Sequence, residues 1–531
     1  GEPPSGDAPT GAPGNGASPS GGANTMSFDY SGTYSGVITA DGTQVSSDGE
    51  SFDASEADEN AALAENGGTL SLTGATLTKS GDDTNGDNCN FYGVNSVLLS
   101  VGEGSLATVS GSALSSTSEG SNAIFATDSA TAYANDVRID TTAGNSRGLD
   151  ATYGGTIIAN GVTATTQGDH SATVATDRGG GSVSLTNSTL STAGSGSPLL
   201  YSTGDIEVSG VTGTASGSQI AAMEGLNSIL INNSTLESTN TNKTASDPLA
   251  NGIIIYQSTS GDAESTTGES ATFQAADSTL KSAITSGSMF YLTNTSADVV
   301  LARTSLDYDS DAAGLIMAVG NDSNNWGTAG SNGATVRFTG IEQQLTGNIE
   351  ADTISSVDLH LTQGSIWTGS ASILDNANGA TSDAPITVNV DGTSSWVVTD
   401  NCTISALNVA SGAQVVDENG NTVTIVAGDQ TVVQGDSDVT VTCDSYSTDY
   451  DASETGTLSN DLIDRSGFDE QMGTSTTWSM GDQGSTSQAS ATQASSARAT
   501  TSTQAQAETS SETSENPIIA FFQWLGSLLG F

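Results

Sequence analysis

Four aspartates, Asp128, Asp150, Asp177 and Asp205, follow one another at sequence intervals in the twenties. If one coil of a repeating structure separates each from the next, they stack as a column of carboxylates about 4.8 Å apart. Such a column repels itself unless a carboxyl keeps its proton, a cation sits between, or an arginine intervenes. Arg147 and Arg178 stand beside Asp150 and Asp177, with Tyr153 and His170 close in sequence. Asp128, Asp150, Tyr153, Asp177, Arg178 and Asp205 are therefore the candidate ligand-binding residues, for a glycan or a calcium ion. Their chemistry extends to a lyase, in which Ca2+ and arginine stabilise a uronate carbanion. The alternative is structural: Asp is a good turn residue, and each arginine neutralises its neighbour. A lyase also needs a basic groove for its acidic polymer, and the chain has only 10 Lys+Arg. Catalytic Ser-His-Asp or Cys-His pairings have no motif context here, so no catalytic residue is assigned.

Two further runs offer oxygen ligands at alternate positions, as the start of an EF-hand loop does. They are Asp307-x-Asp309-x-Asp311 and Asp83-x-Asn85-x-Asp87, and neither has the downstream bidentate Glu in register. Asp307, Asp309 and Asp311 are the candidate metal ligands. No other cofactor is expected.

The charge excludes several partners. The 61 Asp+Glu against 10 Lys+Arg give a formal net charge of −51. Nucleic acid needs a basic footprint that is missing, and anionic lipid is an equally poor match. No stretch approaches the roughly 20 apolar residues that span a bilayer. Cys89, Cys402 and Cys443 are too few for a disulfide framework, although Cys402 and Cys443 lie about two coils apart and are candidates to pair.

What must position the acids is a repeat. The phrase Asn/Asp/Gly-x-Thr/Val-Leu recurs as Gly74-Ala75-Thr76-Leu77, Asn187-Ser188-Thr189-Leu190, Asn233-Ser234-Thr235-Leu236 and Asp277-Ser278-Thr279-Leu280. Looser copies start at Asn135, Asn160 and Ser209, so that every step from Asn135 through Asn160, Asn187 and Ser209 to Asn233 falls in the twenties. A period of that length made of strands and turns marks a solenoid, whose coils stack into one continuous core. The expected fold is all-β, a right-handed parallel β-helix over residues 67–443. Residues 27–66 are expected to form an N-terminal cap. Residues 1–26 read as a disordered Gly/Pro-rich leader, and residues 444–516 as a disordered acidic Ser/Thr/Gln/Ala linker. An insertion interrupts the rhythm around Gly261–Glu269. Residues 517–531 form a short apolar tail with helical spacing, a candidate for docking on a partner or a membrane interface. Trp367 and Trp396 are expected in the core or cap of wider coils.

Several phrases resemble bacterial extracellular parallel β-helix proteins of the adhesin-like, autotransporter-passenger-like kind. They include Ser146-Arg147-Gly148-Leu149-Asp150-Ala151-Thr152-Tyr153-Gly154-Gly155, Ala175-Thr176-Asp177-Arg178-Gly179-Gly180-Gly181, Tyr201-Ser202-Thr203-Gly204-Asp205, Met223-Glu224-Gly225-Leu226-Asn227-Ser228 and Tyr256-Gln257-Ser258. Ser395-Trp396-Val397-Val398 with Ile404-Ser405-Ala406-Leu407-Asn408-Val409 looks like the closing coils of such passengers. The resemblance covers about residues 67–430. It implies the fold and a secreted or cell-surface location, and it carries no shared catalytic motif.

The expected function is adhesin-like: a rigid β-helix presented to a glycan or to a host or matrix surface, without catalysis. The first alternative is a polysaccharide-active enzyme, lyase-like or hydrolase-like. A second is a structural surface or matrix component. A cleft of aromatic and acidic residues on one strand face would favour the enzyme, and a smooth side the binder.

Overall fold

The computed structural model describes residues 27–258, 270–321 and 326–481. The Gly/Pro-rich leader, the segment around Gly261–Glu269 and the apolar tail lie outside the described residues. The chain is a parallel β-helix. A 13-stranded sheet runs from Gly36–Asp41 to Ala371–Leu374, each strand taken from a different coil. A second sheet, in two adjoining halves, runs from Gln44–Asp48 and Ser51–Ala54 to Thr440–Ser447. A four-stranded third sheet ends the stack, from Gln344–Thr346 to Gln414–Val416.

Alternation along each short strand puts one side chain in two inside the coil. Leu98, Ile124, Leu149, Val174 and Leu200 stand in register, and all are fully buried. The thin apolar content suffices because each coil adds only a few such residues to a core its neighbours already close. Trp367 and Trp396 sit wholly inside, stacked with ring centroids 4.6 Å apart. Each satisfies its indole N–H on a glycine carbonyl, Gly347 and Gly369 respectively, at 2.9 Å. At the far end an antiparallel pair, Thr424–Ala427 with Gln430–Val433, occupies an edge that open solenoids must cover.

The repeated phrase is a corner between the two halves of the second sheet. Its first residue takes left-handed backbone: Gly74, Asp136, Gly161, Asn187, Gly210, Asn233 and Asp277 all have φ between 45° and 68°. Gly, Asn and Asp tolerate that region best. The second residue is often serine, and its hydroxyl replaces a broken sheet bond. Ser234 Oγ accepts the Val211 N–H of the preceding coil at 3.0 Å and donates to Asn232 O at 2.7 Å. Ser188 and Ser112 do the same for Val162 and Ala75. The fourth residue, as in Leu77, Leu190, Leu236 and Leu280, enters the core. Ser234→Ala is expected to strand the Val211 N–H at a buried corner and cost ~1–3 kcal/mol. A urea midpoint within error of wild type would refute this account of the corner.

The structure differs from the sequence expectation in four places. The first coil begins at Gly36, whose strand pairs with Asn60–Glu65, so the region before it is only residues 27–35. These residues pack sideways, through Phe28, Tyr30 and Tyr34, on Tyr92 and Tyr153. The looser copies at Asn135, Asn160 and Ser209 are offset by one position from Asn187 and Asn233: Asn160 is level with Thr186 and Ser209 with Asn232. The all-β solenoid also carries a short insertion helix, α1 (Gly86–Tyr92), which is capped by Asn85 and ends on left-handed Gly93. Cys402 and Cys443 are free thiols. Cys402 pairs with Val441 and Cys443 with Ile404, leaving the cysteines diagonal, ~8 Å apart by strand spacing and rise, beyond disulfide reach.

The fourth difference is the largest. Residues 444–481 are not a loose linker. After Thr440–Ser447 the chain turns back and runs down the outside of the second sheet as a strap. It bonds Thr339 through Gly456, Gln274 through Thr457 and Ser459, and Glu207 through Ile463. A short helix, α2 (Ser466–Met472), then drives Phe468 fully out of solvent, edge-on to Tyr133 at 5.5 Å. The polar composition that suggested disorder serves here to bond Thr339, Gln274 and Glu207 on the face of that sheet. Residues 482–516 lie outside the described residues.

Candidate lateral groove on the first sheet

The four aspartates do not form a column. One coil here is the step from Ile124 to Leu149, repeated almost unchanged to Val174 and Leu200. The step from Asp128 to Asp150 falls short of a coil, and the step from Asp177 to Asp205 overshoots one, so both leave the register. Asp150 is opposite Phe125 and Ala175, not another acid. Asp128 is in the left-handed turn after Ile124–Thr127. Asp177 follows Val174–Thr176, and Asp205 opens a strand of the second sheet opposite Ser182 and Ser228.

Two of the four are nonetheless brought together by one arginine. Arg147 Nη1 lies 3.8 Å from Asp150 Oδ2, and Nη2 lies 3.5 Å from Asp177 Oδ2. The same guanidinium donates to Asn90 Oδ1 of α1 at 2.9 Å. Arg178 lies over the Phe91 ring, 3.7 Å from its centroid. The remaining candidates, Asp128, Tyr153 and Asp205, line a separate open groove of about 660 Å³ floored by Gly179, Gly180 and Gly181.

The Arg147 cluster is one end of a groove of about 370 Å³ along the outer face of the first sheet. The outward residues Asp150, Ala175, Tyr201, Ala222 and Ile254 follow one another in register. Small Ala172 and Ala222 line the groove between larger neighbours. The α1 insertion, through Asn90 and Phe91, lines one end, and Tyr256, stacked on Trp326 at 4.6 Å, lines the other. The chain between Thr244 and Asp247 adds the side wall.

The electrostatics follow from burial. Asp150 is fully buried, and neither carboxylate oxygen has a side-chain or backbone hydrogen bond of good geometry. Burial pushes its pKa up to about 7, against the pull of Arg147. Burial also disfavours the Arg147 charge, but Asp150 and Asp177 together hold its pKa above the ordinary value. Asp247 accepts from Gln219 Nε2 and Asn251 Nδ2, both at 2.9 Å. Burial raises its pKa to about 6, against those hydrogen bonds. Tyr201 donates to Glu224 Oε2 at 2.9 Å. His170 is held below its usual pKa by burial and by Arg147. The groove thus offers one buried cation with Asp150 beneath it, an acid, Asp247, raised toward neutrality, and aromatic rings at both ends.

The calcium candidates have structural duties. Asn85 caps α1 by accepting the Asn88 N–H at 3.1 Å, and Asp83 accepts the Cys89 thiol at 3.3 Å. Asp309 accepts the Asp311 N–H at 3.1 Å, a tight side-chain turn. Among the described residues no three His, Cys, Asp or Glu side chains converge as a metal site. Sequence reasoning missed Gln219, Asp247 and Tyr256 as companions of Arg147 in the groove, and Glu224 as the acceptor that holds Tyr201. The one legible signal was Arg147 itself, a rare basic residue three positions before Asp150.

The fold and this groove define the class: a β-solenoid with a lateral polar cleft. Compared with known proteins, the chain matches no family model and no curated sequence. No helix among the described residues is long and apolar enough to cross a membrane.

Proposed function

We propose that this chain is a secreted or bacterial surface-held, adhesin-like protein that binds a glycan or matrix ligand in the first-sheet groove. The observation that carries the reading is the company kept there: Phe91, Tyr201 and Tyr256 beside Arg147, Gln219 and Asp247. Rings with an apolar face and a small set of placed polar groups are the ordinary make-up of a ligand site. The acids of the groove are already engaged, Asp150 and Asp177 by Arg147 and Asp247 by Gln219 and Asn251. That favours binding over acid-base chemistry.

One observation favours the polysaccharide-active enzyme as the second reading. A cleft of aromatic and acidic residues is the feature expected of it, and a carboxyl that keeps its proton near neutrality is what a general acid needs. A glycan and matrix-protein array, run with calcium and with chelator, tests both. Reproducible binding is expected, with Tyr201→Ala and Gln219→Ala each weakening it at least roughly tenfold. Calcium dependence would bring Asp307, Asp309 and Asp311 back as ligands. Release of reducing ends from a bound polysaccharide, lost in Asp247→Asn, would put the enzyme first. No binding in either condition would overturn the adhesin reading in favour of a structural surface component.

A further inference from the structure

The strap is held mainly through its backbone. Gly456 N donates to Thr339 Oγ1 at 2.8 Å, Ser459 N to Gln274 Oε1 at 2.8 Å, and Ile463 N to Glu207 Oε2 at 2.9 Å. Gln274 Nε2 returns a bond to Thr457 O at 2.9 Å. Further along the strap, Gly481 N donates to Asn232 Oδ1 at 2.9 Å. Thr339, Gln274 and Glu207 all stand in one outward column of the second sheet, which continues through Ser184 to Tyr133. This column reads an extended main chain rather than a particular sequence.

A single side chain supplies the anchor. Arg465 is 2% exposed in a socket on coils far from it in sequence. Nη1 donates to Ser184 O at 2.9 Å and Ser184 Oγ at 2.8 Å. Nη2 donates to Ala159 O at 3.0 Å and Thr186 Oγ1 at 2.9 Å, while Nε is satisfied within the strap by Thr476. A planar fork that fills four fixed acceptors is arginine recognition; a lysine cannot reproduce it.

The strap is nevertheless a poor electrostatic match for the body. Residues 444–481 hold eight Asp or Glu and one Arg, on a chain whose formal net charge is −51. Asp461 faces Asp205 and Glu207, and both of those acids are held above their ordinary pKa by burial first and by like charge. A segment with the same backbone bonds and the same arginine but fewer acids would fit better.

We propose that this face is a receptor groove for an extended, arginine-bearing cationic polypeptide segment, and that the strap is its tethered, self-inhibiting occupant. The proposal is independent of the first-sheet groove, which lies on a different sheet. Tethering makes the strap win by local concentration rather than by fit, so loosening its anchor exposes the site to a peptide in solution.

The test uses the full chain and its Arg465→Ala variant, with a fluorescein-labelled peptide of residues 455–481 followed by anisotropy. Hydrogen exchange over residues 456–468 reports whether the strap has lifted. In the variant, exchange should accelerate, and the peptide should bind at least ~10-fold more tightly than to wild type. A peptide carrying Arg465→Lys should lose most of that binding. One carrying Asp461→Lys should bind several-fold more tightly at low salt, the gain shrinking as salt screens it. Three results would overturn the proposal: a strap that stays protected in Arg465→Ala, a lifted strap with no peptide binding, or binding indifferent to the peptide's arginine.

Discussion

The melting temperature should rise as the pH falls from 8 to about 5. Three buried acids set the sign. Burial, largest in each case, raises Asp150 to about 7, Glu207 to about 8 and Asp247 to about 6, from ordinary values of 3.8, 4.5 and 3.8. Between the unfolded and folded values the native chain holds protons that the unfolded chain has released. Stability therefore falls with rising pH through that window and is fully present below it. Each tenfold gain in proton affinity on folding is worth ~1.4 kcal/mol, so the three acids together make several kcal/mol between pH 4 and 8. Relief of self-repulsion in a chain of formal net charge −51 acts in the same direction. The gain ends near pH 4. Asp358, Asp391 and Asp469 are held below the ordinary carboxylate value by hydrogen bonds that outweigh burial, and their stabilisation is lost as they protonate. Calorimetry at pH 8, 6.5, 5 and 3.5 should trace a maximum near 5, flattened by Asp150→Asn with Glu207→Gln. A melting temperature that is level or falls from pH 8 to 5 would sink this account.

The coil was legible because its corner is local chemistry. A left-handed residue, a serine that mends the break and a leucine that enters the core appear as one phrase, so Asn187, Asn233 and Asp277 announce three coils. The same phrase misled by one position at Asn135 and Asn160. There the left-handed positions are Asp136 and Gly161, and asparagine stands just before them. That asparagine has its own role: Asn160 Nδ2 donates to Asn135 Oδ1 at 2.9 Å, building a ladder rather than a turn. The strap was illegible for a different reason. Its order comes from partners such as Glu207 and Ser184, 256 and 281 residues away, and no local pattern records them.

The candidate site was half legible. Asp150 and Asp177 do share an arginine, but the regular interval that singled them out was a coincidence of composition, since Asp128 and Asp205 fall elsewhere in the coil. What brings groove residues together is the register of the first sheet plus two insertions, the α1 region and the chain near Asp247. An insertion length can be counted in a sequence, but where it folds back cannot. Glu224 and Tyr256 are adjacent across neighbouring coils although 32 residues separate them.

Removing Arg147 should expose that dependence most sharply. Arg147→Ala leaves Asp150, fully buried, without the cation beside it, and takes a second ion-pair contact from Asp177. Breaking a buried pair from one side costs ~3–5 kcal/mol. The loss should depend on pH, because Asp150 can escape by taking a proton. It should be greatest at pH 8, where the folded state must hold the carboxylate, and smaller at pH 5, where the native pKa of about 7 already favours the acid. Asp150→Asn removes the charge and keeps the shape. Placed on top of Arg147→Ala, it should recover a large part of the loss at pH 8 and little at pH 5, a coupling of the kind that neighbouring buried groups show. Urea midpoints for the wild type, both single variants and the double variant at the two pH values give the cycle. Equal losses at both pH values, or no recovery from Asp150→Asn at pH 8, would mean that Arg147 acts by packing against Asn90 and Phe91 and not by neutralising the acid beneath it.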